Sequence, residues 1–173
     1  GVLTLAASPP AAERIGLDTF YFARRQFVYL PLALSIMIGI SLLSVRSVRR
    51  LAVISFLGAI ALMIGVLLVG AEIKGATRWL QLGPVSLQPS EFVKPTFAIF
   101  SAWMLSETQL NRQFPGYLIS TAAYGIVAAL LLLQPDVGTT ILVSAIWGIQ
   151  LFVAGLPLAL VGLIGAGFLG LGV

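Results

Sequence analysis

Long uncharged runs of apolar residues constrain this chain more than any other feature, because each run is long enough to cross a lipid bilayer. A helix needs roughly 20 apolar residues to span a hydrocarbon core about 30 Å thick. Residues 27–45 and 51–71 meet this requirement without a charged side chain. Three further uncharged runs follow, at residues 117–133, 137–154 and 156–173. We therefore predict that these runs are membrane-spanning helices.

Two less regular segments complete the predicted set of spans. Residues 92–106 form a shorter run that contains Lys94 and Pro95. We predict a helix here because the spans on either side need one more crossing between them. Residues 1–8 look like the end of an earlier span. The chain begins at Gly1 without a methionine and stops inside an apolar run, so we expect a fragment, truncated at both ends, of a longer polytopic protein.

The composition is that of an integral membrane protein. Charged residues make up 9% of the chain, whereas soluble domains carry about 25%, and the mean hydropathy is +1.05. Lipid offers the backbone no hydrogen-bond partner, so spans are helices or closed barrels, and these runs lack the alternating polarity of barrel strands. The predicted fold class is all-α: one polytopic transmembrane helix bundle over residues 1–173, with about six to seven spans.

The charged and reactive residues exclude several kinds of site. The net charge is +4, but the ten Lys and Arg residues are dispersed around apolar spans, so we predict membrane flanks and no nucleic-acid partner. Without cysteine or histidine the chain has no thiolate metal site and lacks the commonest zinc ligand, and we assign no metal ligand. Lys and Arg are almost equally divided between the two sides of the spans, so charge alone does not set the membrane orientation.

The most polar stretch is "TRWLQLGPVSLQPSEFVKP", residues 77–95. Pro89 suits the first turn of a helix, where its missing N–H costs nothing, and this makes Gln88 the predicted N-cap. Glu91 then meets the positive end of the helix dipole, and Lys94 follows three residues later on the same face. Two interpretations stay open: a capping Glu91 with Lys94 reaching toward the interface, or an ion pair that lines a polar site enclosed by protein.

A second polar stretch, "LLLQPDVGTT" at residues 131–140, places Asp136 between two long apolar spans. Pro135 and Gly138 interrupt the helix there, which leaves backbone groups that could bind an ion or a polar head group. Alternatively, Asp136 is a turn residue that caps the next helix, with two threonines in its first turn. By topology, this turn and the first polar stretch face the same side of the membrane.

Arg78 lies beside Trp79 in the first polar stretch. A guanidinium fork is suited to a phosphate group, but a neighbouring Trp and Arg are also typical of the head-group level of a membrane. Together with Lys94 and the carboxylates of Glu91 and Asp136, the pattern suits an amphiphile with an anionic head and a lipid tail. It does not name a reaction.

The two polar stretches together resemble a known family. "GAEIKGATRWLQLGPVSLQPSEFVKP" and "LLLQPDVGTTILV", in this order and each at a helix entrance, are similar to signatures of the SEDS family (shape, elongation, division and sporulation), which includes the FtsW, RodA and SpoVE proteins. The first signature and "IQLFVAGLPL" are most similar to the FtsW branch. The resemblance extends over the whole chain, which would form the N-terminal part of a protein of about ten spans.

This resemblance implies a septal peptidoglycan glycosyltransferase of bacterial cell division. Such enzymes polymerise lipid II, release undecaprenyl pyrophosphate, and work with a class B penicillin-binding protein and other divisome membrane proteins. The implied location is the cytoplasmic (inner) membrane at the division site, where a multi-pass protein contacts membrane lipid, with both polar stretches on the outer face. A lipid II flippase, a RodA-type elongation polymerase and a division scaffold stay open as alternatives.

The resemblance also implies a set of site residues. Positions that match the signatures are assigned to substrate binding or to the cavity: Arg78, Trp79, Gln88, Ser90, Glu91, Lys94 and Asp136. Gln134 matches the second signature without an assigned role. Fixed cations or a divalent cation would stabilise the charge on a departing diphosphate, so the cofactor stays open. The family's catalytic Asp lies beyond Val173, so the catalytic residue is unknown, Asp136 has a supporting role, and we expect the fragment alone to be inactive.

Overall fold

A computed structural model gives the structure of most of the chain. It describes residues 21–69, 71–73, 76–82, 85–157, 159 and 162–163. Side chains are described from Gln26 onward, except for most of those between residues 69 and 86. The span remnant predicted at residues 1–8 and most of the span predicted at residues 156–173 lie outside this part of the chain.

The chain divides into two compact units, residues 1–48 and residues 49–173. In the first unit, helix α1 (Tyr21–Ser41) carries Pro31 in its interior. The Ser35 hydroxyl donates a hydrogen bond to the Pro31 carbonyl at 2.8 Å. The large apolar side chains of α1 are exposed, which is the pattern of a helix that faces lipid rather than water.

Helix α2 (Val45–Val69) begins in the first unit and continues into the second. Its buried residues in the second unit recur at helical spacing: Ala52, Phe56, Ala59, Met63 and Val66. Its exposed residues there are also apolar and include Ile54, Leu57 and Leu68. A helix that is apolar on every face packs against protein on one side and lipid on the other.

Three short antiparallel strands follow α2: β1 (Ala71–Ile73), β2 (Ala76–Leu82) and β3 (Val85–Leu87). β2 is central, with Trp79 opposite Ala71 on one side and Leu80 opposite Leu87 on the other. No secondary structure is predicted from the sequence for this segment before Pro89, so the strands are an addition from the structure. Strands of three residues are too short to leave a recognisable alternation in the sequence.

The sheet leads into three consecutive helices, α3 (Pro89–Leu110), α4 (Gly116–Leu133) and α5 (Val137–Val153). Because the connections between them are short, neighbouring helices run in opposite directions. We call the end of the bundle where α3 and α5 begin and α4 ends the entrance end, and the opposite end the exit end. The span predicted at residues 92–106 is confirmed as a helix, but it is longer than predicted at both ends.

Aromatic rings fill the core between these helices. The Phe56 ring of α2 lies 6.0 Å from the Phe97 ring of α3 and stacks on Phe100 at 5.0 Å, measured between ring centroids. The Tyr124 ring of α4 stacks on the Trp147 ring of α5, with centroids 4.2 Å apart and planes 5° from parallel. These rings belong to one cluster of buried apolar residues that joins α2, α3, α4 and α5.

A small polar cluster lies inside this core. The hydroxyl oxygens of Ser101 and Ser120 are 2.6 Å apart, and Trp147 Nε1 donates to Ser120 Oγ at 3.0 Å. The three side chains are buried and come from α3, α4 and α5. Hydrogen bonds between helices satisfy polar groups that lipid cannot satisfy, so the cluster fixes the three helices relative to one another.

Among the described residues, two helical segments are long and apolar enough to cross a membrane, Val45–Leu68 and Gly116–Leu133. Two shorter apolar helices accompany them, Gln26–Ser41 and Val137–Val153. Each of these segments overlaps a run predicted from the sequence, although α2 begins at Val45, six residues before the predicted start of its span. The predicted helical membrane bundle is confirmed, and the structure adds the three strands.

Candidate functional site

The start of α3 has the predicted local structure. Gln88 is the N-cap, Pro89 is the first helical residue and Glu91 lies in the first turn, near the positive end of the helix dipole. The Gln88 side chain does not cap the backbone; its Nε2 donates to the Ser90 hydroxyl at 2.9 Å instead. Because Ser90 is buried, this bond fixes the Gln88 amide at the start of the helix.

Glu91 and Lys94 form the predicted ion pair, with Lys94 Nζ 2.7 Å from Glu91 Oε2. The Lys94 side chain is 23% exposed and the Glu91 side chain 55% exposed. A partly exposed pair on one helix contributes only about 0.3–0.5 kcal/mol, so stability does not account for charges in an apolar helix. An ammonium group has three N–H donors and this pair uses one, so Lys94 can also bind an anionic group.

Asp136 is the N-cap of α5, which confirms the capping interpretation. Its Oδ1 accepts a hydrogen bond from the Thr139 N–H at 3.3 Å, and the Thr140 hydroxyl donates to the Asp136 carbonyl at 2.8 Å. Asp136 is nearly buried, with 6% of its surface exposed. A carboxylate has two oxygens and can accept several hydrogen bonds, so capping does not exclude a second role.

Gln134 ties the same turn to α2. Its Nε2 donates to the Met63 carbonyl at 3.0 Å, and its side chain is 1% exposed. The two residues are 71 positions apart in the chain. Gln134 was not among the predicted site residues. The sequence signal that could have identified it is a glutamine between an apolar helix and Pro135, since a buried amide needs hydrogen-bond partners.

A line of hydrogen bonds continues from Asp136 into the bundle. The Ser144 hydroxyl donates to the Thr140 carbonyl at 2.7 Å, and its oxygen lies 2.7 Å from the Tyr124 hydroxyl. Since Ser144 has one hydroxyl proton and gives it to Thr140, Tyr124 is the donor in the second bond. The Tyr124 ring also stacks on Trp147, so two residues of α5, Ser144 and Trp147, contact the same side chain of α4.

Arg78 and Trp79 lie in β2, and their side chains are outside the described part of the structure. The β2 backbone lies beside α3, the helix that carries Glu91 and Lys94. The predicted phosphate contact of Arg78 and the interfacial role of Trp79 stay predictions.

The structure brings five of the predicted site residues to the entrance end: Gln88, Ser90, Glu91, Lys94 and Asp136. Both α3 and α5 point their N-termini toward this end, where a helix dipole favours negative charge. The arrangement offers one ammonium group, two carboxylates, an amide and a hydroxyl. Across the described ranges of the chain, no three His, Cys, Asp or Glu side chains lie close enough together to hold a metal ion.

The exit end has a different kind of polar group. Gln109 Nε2 and the Tyr117 hydroxyl both donate to the Ala154 carbonyl, at 2.7 and 2.8 Å. A mostly apolar groove of about 300 Å³ lies nearby between α3 and α5, lined by Ala102, Leu105, Ser106, Gln109, Ile149, Gln150, Val153 and Ala154. None of the predicted site residues lines this groove, so the groove is not part of the predicted site.

The sequence matches the family model of the FtsW, RodA and SpoVE cell cycle proteins over residues 1–173. The chain belongs to this family. Within it the chain is FtsW-like: it is 44% identical over 173 residues to the protein of Caulobacter vibrioides named "Probable peptidoglycan glycosyltransferase FtsW". That alignment covers 99% of this chain and 44% of the relative, so the chain spans less than half the length of this FtsW protein.

Two solved structures of related proteins have the same fold as this FtsW-like chain. The rod shape determining protein RodA of Thermus thermophilus superimposes with a TM-score of 0.73 at 29% identity, over 98% of this chain and 56% of RodA. A chain from the structure titled "Structural coordination of polymerization and crosslinking by a peptidoglycan synthase complex" gives 0.69 at 32% identity, over 97% of this chain and 51% of that one. Both are consistent with the polytopic helical bundle described above.

Proposed function

We propose that the full-length FtsW-like protein polymerises lipid II by glycosyl transfer and makes septal peptidoglycan. The observation that carries this proposal is the 44% identity, over nearly the whole chain, with a protein named as a probable peptidoglycan glycosyltransferase. In this reaction a sugar hydroxyl oxygen of one lipid II unit bonds to the anomeric carbon of another, and the bond from that carbon to the diphosphate oxygen breaks. The hydroxyl proton passes to a general base, the role of the catalytic carboxylate. The electron pair leaves with undecaprenyl pyrophosphate, so negative charge accumulates on the departing diphosphate.

The entrance end supports a role in binding that anionic head group. The Lys94 ammonium can donate to diphosphate oxygens, and Glu91 holds Lys94 in place through the 2.7 Å ion pair. The Gln88 amide and the Ser90 hydroxyl supply neutral donors next to this pair. Arg78, on the strand beside α3, would add a guanidinium group suited to phosphate.

Trp79 and Asp136 have other roles in this proposal. Trp79 would lie at the head-group level of the membrane, where indole rings accumulate. A diphosphate would repel the Asp136 carboxylate. This carboxylate is suited instead to accept hydrogen bonds from the hydroxyl and amide N–H groups of the adjacent sugar. The catalytic carboxylate would come from the part of the full-length protein after residue 173.

We infer that the protein works in the bacterial inner membrane at the division site, with the entrance end facing outward. Its partners would be a class B penicillin-binding protein and other divisome membrane proteins. The 32% identity to a chain from a peptidoglycan synthase complex supports a partner of this kind. The exposed apolar side chains of α1 and α2 offer surface for lipid or for neighbouring membrane helices.

The test is a polymerisation assay on the full-length protein. The protein is reconstituted in liposomes with its class B penicillin-binding protein and labelled lipid II, and glycan strands are separated on a gel. We expect strands with both proteins and none with the penicillin-binding protein alone. Movement of labelled lipid II across the bilayer without glycan strands would contradict the proposal and favour a flippase.

A depletion experiment tests the septal assignment. Cells depleted of a septal polymerase grow into filaments because they elongate without dividing, whereas loss of an elongation polymerase gives round cells. We expect filaments. Round cells would favour the RodA-type role, and filaments from a strain whose protein makes no glycan would favour a division scaffold.

A further inference from the structure

We propose that Gln134 and Thr140 are positioning residues that hold Asp136 in the head-group site; this inference rests on the proposed function. Neither residue needs to touch the substrate. Each forms a hydrogen bond that fixes the α4–α5 turn on which Asp136 lies, one to another helix and one to the Asp136 backbone.

Gln134 attaches the turn to α2. The backbone bonds of the turn are local: the Gln134 N–H donates to Leu130 and Leu131 carbonyls, and the Asp136 N–H donates to Leu131 at 2.9 Å. These bonds hold the turn to the end of α4. The bond from Gln134 Nε2 to the Met63 carbonyl joins the turn to α2, and it is buried, where water cannot compete with it.

Thr140 fixes the orientation of Asp136 within the turn. The Asp136 carbonyl accepts two hydrogen bonds from Thr140, from the N–H at 3.0 Å and from the hydroxyl at 2.8 Å. Two donors on one oxygen restrict the rotation of that peptide plane, and this rotation sets the direction of the Asp136 side chain. The Thr140 hydroxyl is buried, so a change at this residue alters the turn without altering the surface.

Small displacements matter at such a site. A shift of about 1 Å in a group that orients a substrate can lower a rate by about 100-fold, even when the altered residue is remote from the chemistry. Asp136 is 6% exposed and has little freedom to search for the substrate. Its binding function therefore depends on where the turn is held.

The decisive experiment compares two glutamines whose side-chain amides each donate to a backbone carbonyl of another helix, Gln134 at a buried position and Gln150 at a half-buried one. Gln150 donates to the Ala98 carbonyl at 2.9 Å, which joins α5 to α3, just as Gln134 donates to Met63 at 3.0 Å and joins the turn to α2. Gln134→Met and Gln150→Met remove one such bond each from the full-length protein and nearly preserve side-chain volume. We expect both changes to lower the melting temperature in detergent, Gln134→Met more than Gln150→Met because its hydrogen bond is fully buried.

The two variants should differ in the assay with lipid II and the penicillin-binding partner. We expect Gln134→Met to raise the KM for lipid II about five- to tenfold, and Gln150→Met to leave it within about twofold. In the Asp136→Asn background, Gln134→Met should raise the KM no further, because it acts through Asp136. Equal KM values for the two single variants, or full additivity with Asp136→Asn, would overturn the proposal.

A second matched pair decides the matter if Gln134→Met does not fold. Thr140→Val and Thr121→Val each remove a hydroxyl that donates to the carbonyl four residues earlier, at 2.8 and 2.7 Å. Only Thr140→Val should raise the KM, and an equal effect of Thr121→Val would overturn the proposal. If the unaltered protein makes no glycan, the proposed function is contradicted. If the unaltered protein makes glycan but the two variants of each pair have the same KM, only the positioning role is contradicted.

Discussion

The entrance end and the exit end of the second unit satisfy their polar groups in different ways. At the exit end, neutral side chains from two helices donate to one backbone carbonyl, that of Ala154. At the entrance end, charged side chains form pairs and caps within their own helix, as Lys94 does with Glu91 and Asp136 with Thr139. The exit end joins α3, α4 and α5 through these shared contacts. It also carries charged side chains, among them Arg49, Glu107 and Arg112. At the entrance end, the charged site residues lie at the N-terminal ends of α3 and α5.

This difference indicates that the two ends have different purposes. Neutral hydrogen bonds between helices stabilise a membrane bundle by about 0.6 kcal/mol each and need no charge. A charge at the centre of an apolar span costs about 2.5–3.5 kcal/mol on insertion scales, and a partly exposed ion pair contributes at most about 1 kcal/mol. If the proposed head-group site is correct, changes to the charges at the entrance end should affect substrate binding more than folding.

The largest expected effect on stability lies at the exit end. Gly116 begins α4 beside α3, and a Cβ at this position would collide with the Met104 carbonyl oxygen and the Thr108 hydroxyl. We expect Gly116→Ala to destabilise the full-length protein by about 2–4 kcal/mol, measured as a lower melting temperature in detergent.

Gly65→Ala is the control for this change, because a Cβ on Gly65 meets nothing within 4 Å. We expect it to change stability by less than about 1 kcal/mol. If both substitutions gave the same melting temperature, α3 and α4 would not be in close contact at the exit end.

The largest expected effect on activity lies at the entrance end. Lys94→Met removes the ammonium group and leaves Glu91 without its ionic partner. A hydrogen bond to a charged group is worth about 1.5–3 kcal/mol, so we expect kcat/KM for lipid II to fall about 10- to 100-fold. Steady-state polymerisation rates over a range of lipid II concentrations measure this change.

Arg112→Met removes a cation from the exposed turn at the exit end and serves as the control. We expect its kcat/KM to stay within about twofold of the unaltered protein. Equal losses from the two variants would show that overall positive charge, and not the entrance end, attracts the substrate.

A smaller effect is expected from the polar cluster between the two ends. Ser120→Ala removes the buried hydrogen bonds that Ser120 forms with Ser101 and Trp147. We expect a loss of about 1–2 kcal/mol in stability with an unchanged KM for lipid II. The exposed Ser106, which bonds to the Trp103 carbonyl of its own helix, is the matched position, and Ser106→Ala should cost less than about 0.5 kcal/mol. A raised KM for lipid II in Ser120→Ala would show that the buried polar cluster also affects substrate binding, contrary to this prediction.

The smallest expected effect concerns Arg49, whose Cζ lies 5.4 Å from the centre of the Trp103 ring. A cation–π contact of this kind contributes about 0.5–1 kcal/mol. Arg49→Gln should therefore lower the melting temperature slightly and leave polymerisation unchanged, whereas Arg50→Gln, at an exposed neighbouring position, should change neither. Lost polymerisation in Arg49→Gln would give the exit end a functional role and contradict the contrast between the two ends.

The start of α3 shows how much of the site local rules could predict. Gln88 as N-cap, Pro89 as first residue and the Glu91–Lys94 pair were all predicted, and all are confirmed. Each depends on residues within four positions of one another, where helix geometry alone sets the distances. The cap at Asp136 follows the same rule, and the structure decided between its two interpretations.

The strands between α2 and α3 show where local rules fail. β1 and β3 have three residues each, and their stability comes from pairing with β2 rather than from their own sequence. Strand propensity is weak and depends on neighbours, so the segment looks like a loop until the pairing is known. The placement of Arg78 and Trp79 on a strand beside α3 could not be read from spacing.

The sequence by itself determined that this chain is a bundle of membrane helices, because runs of about 20 apolar residues have few other stable structures in lipid. It also determined the polar start of α3, because capping and ion pairing act over one turn of helix. Only the tertiary structure decided that Gln134 reaches Met63, 71 positions away, and that Ser101, Ser120 and Trp147 meet in the core. Such contacts depend on how whole helices pack, and an apolar helix that can face either lipid or protein carries little record of its partners in its own sequence.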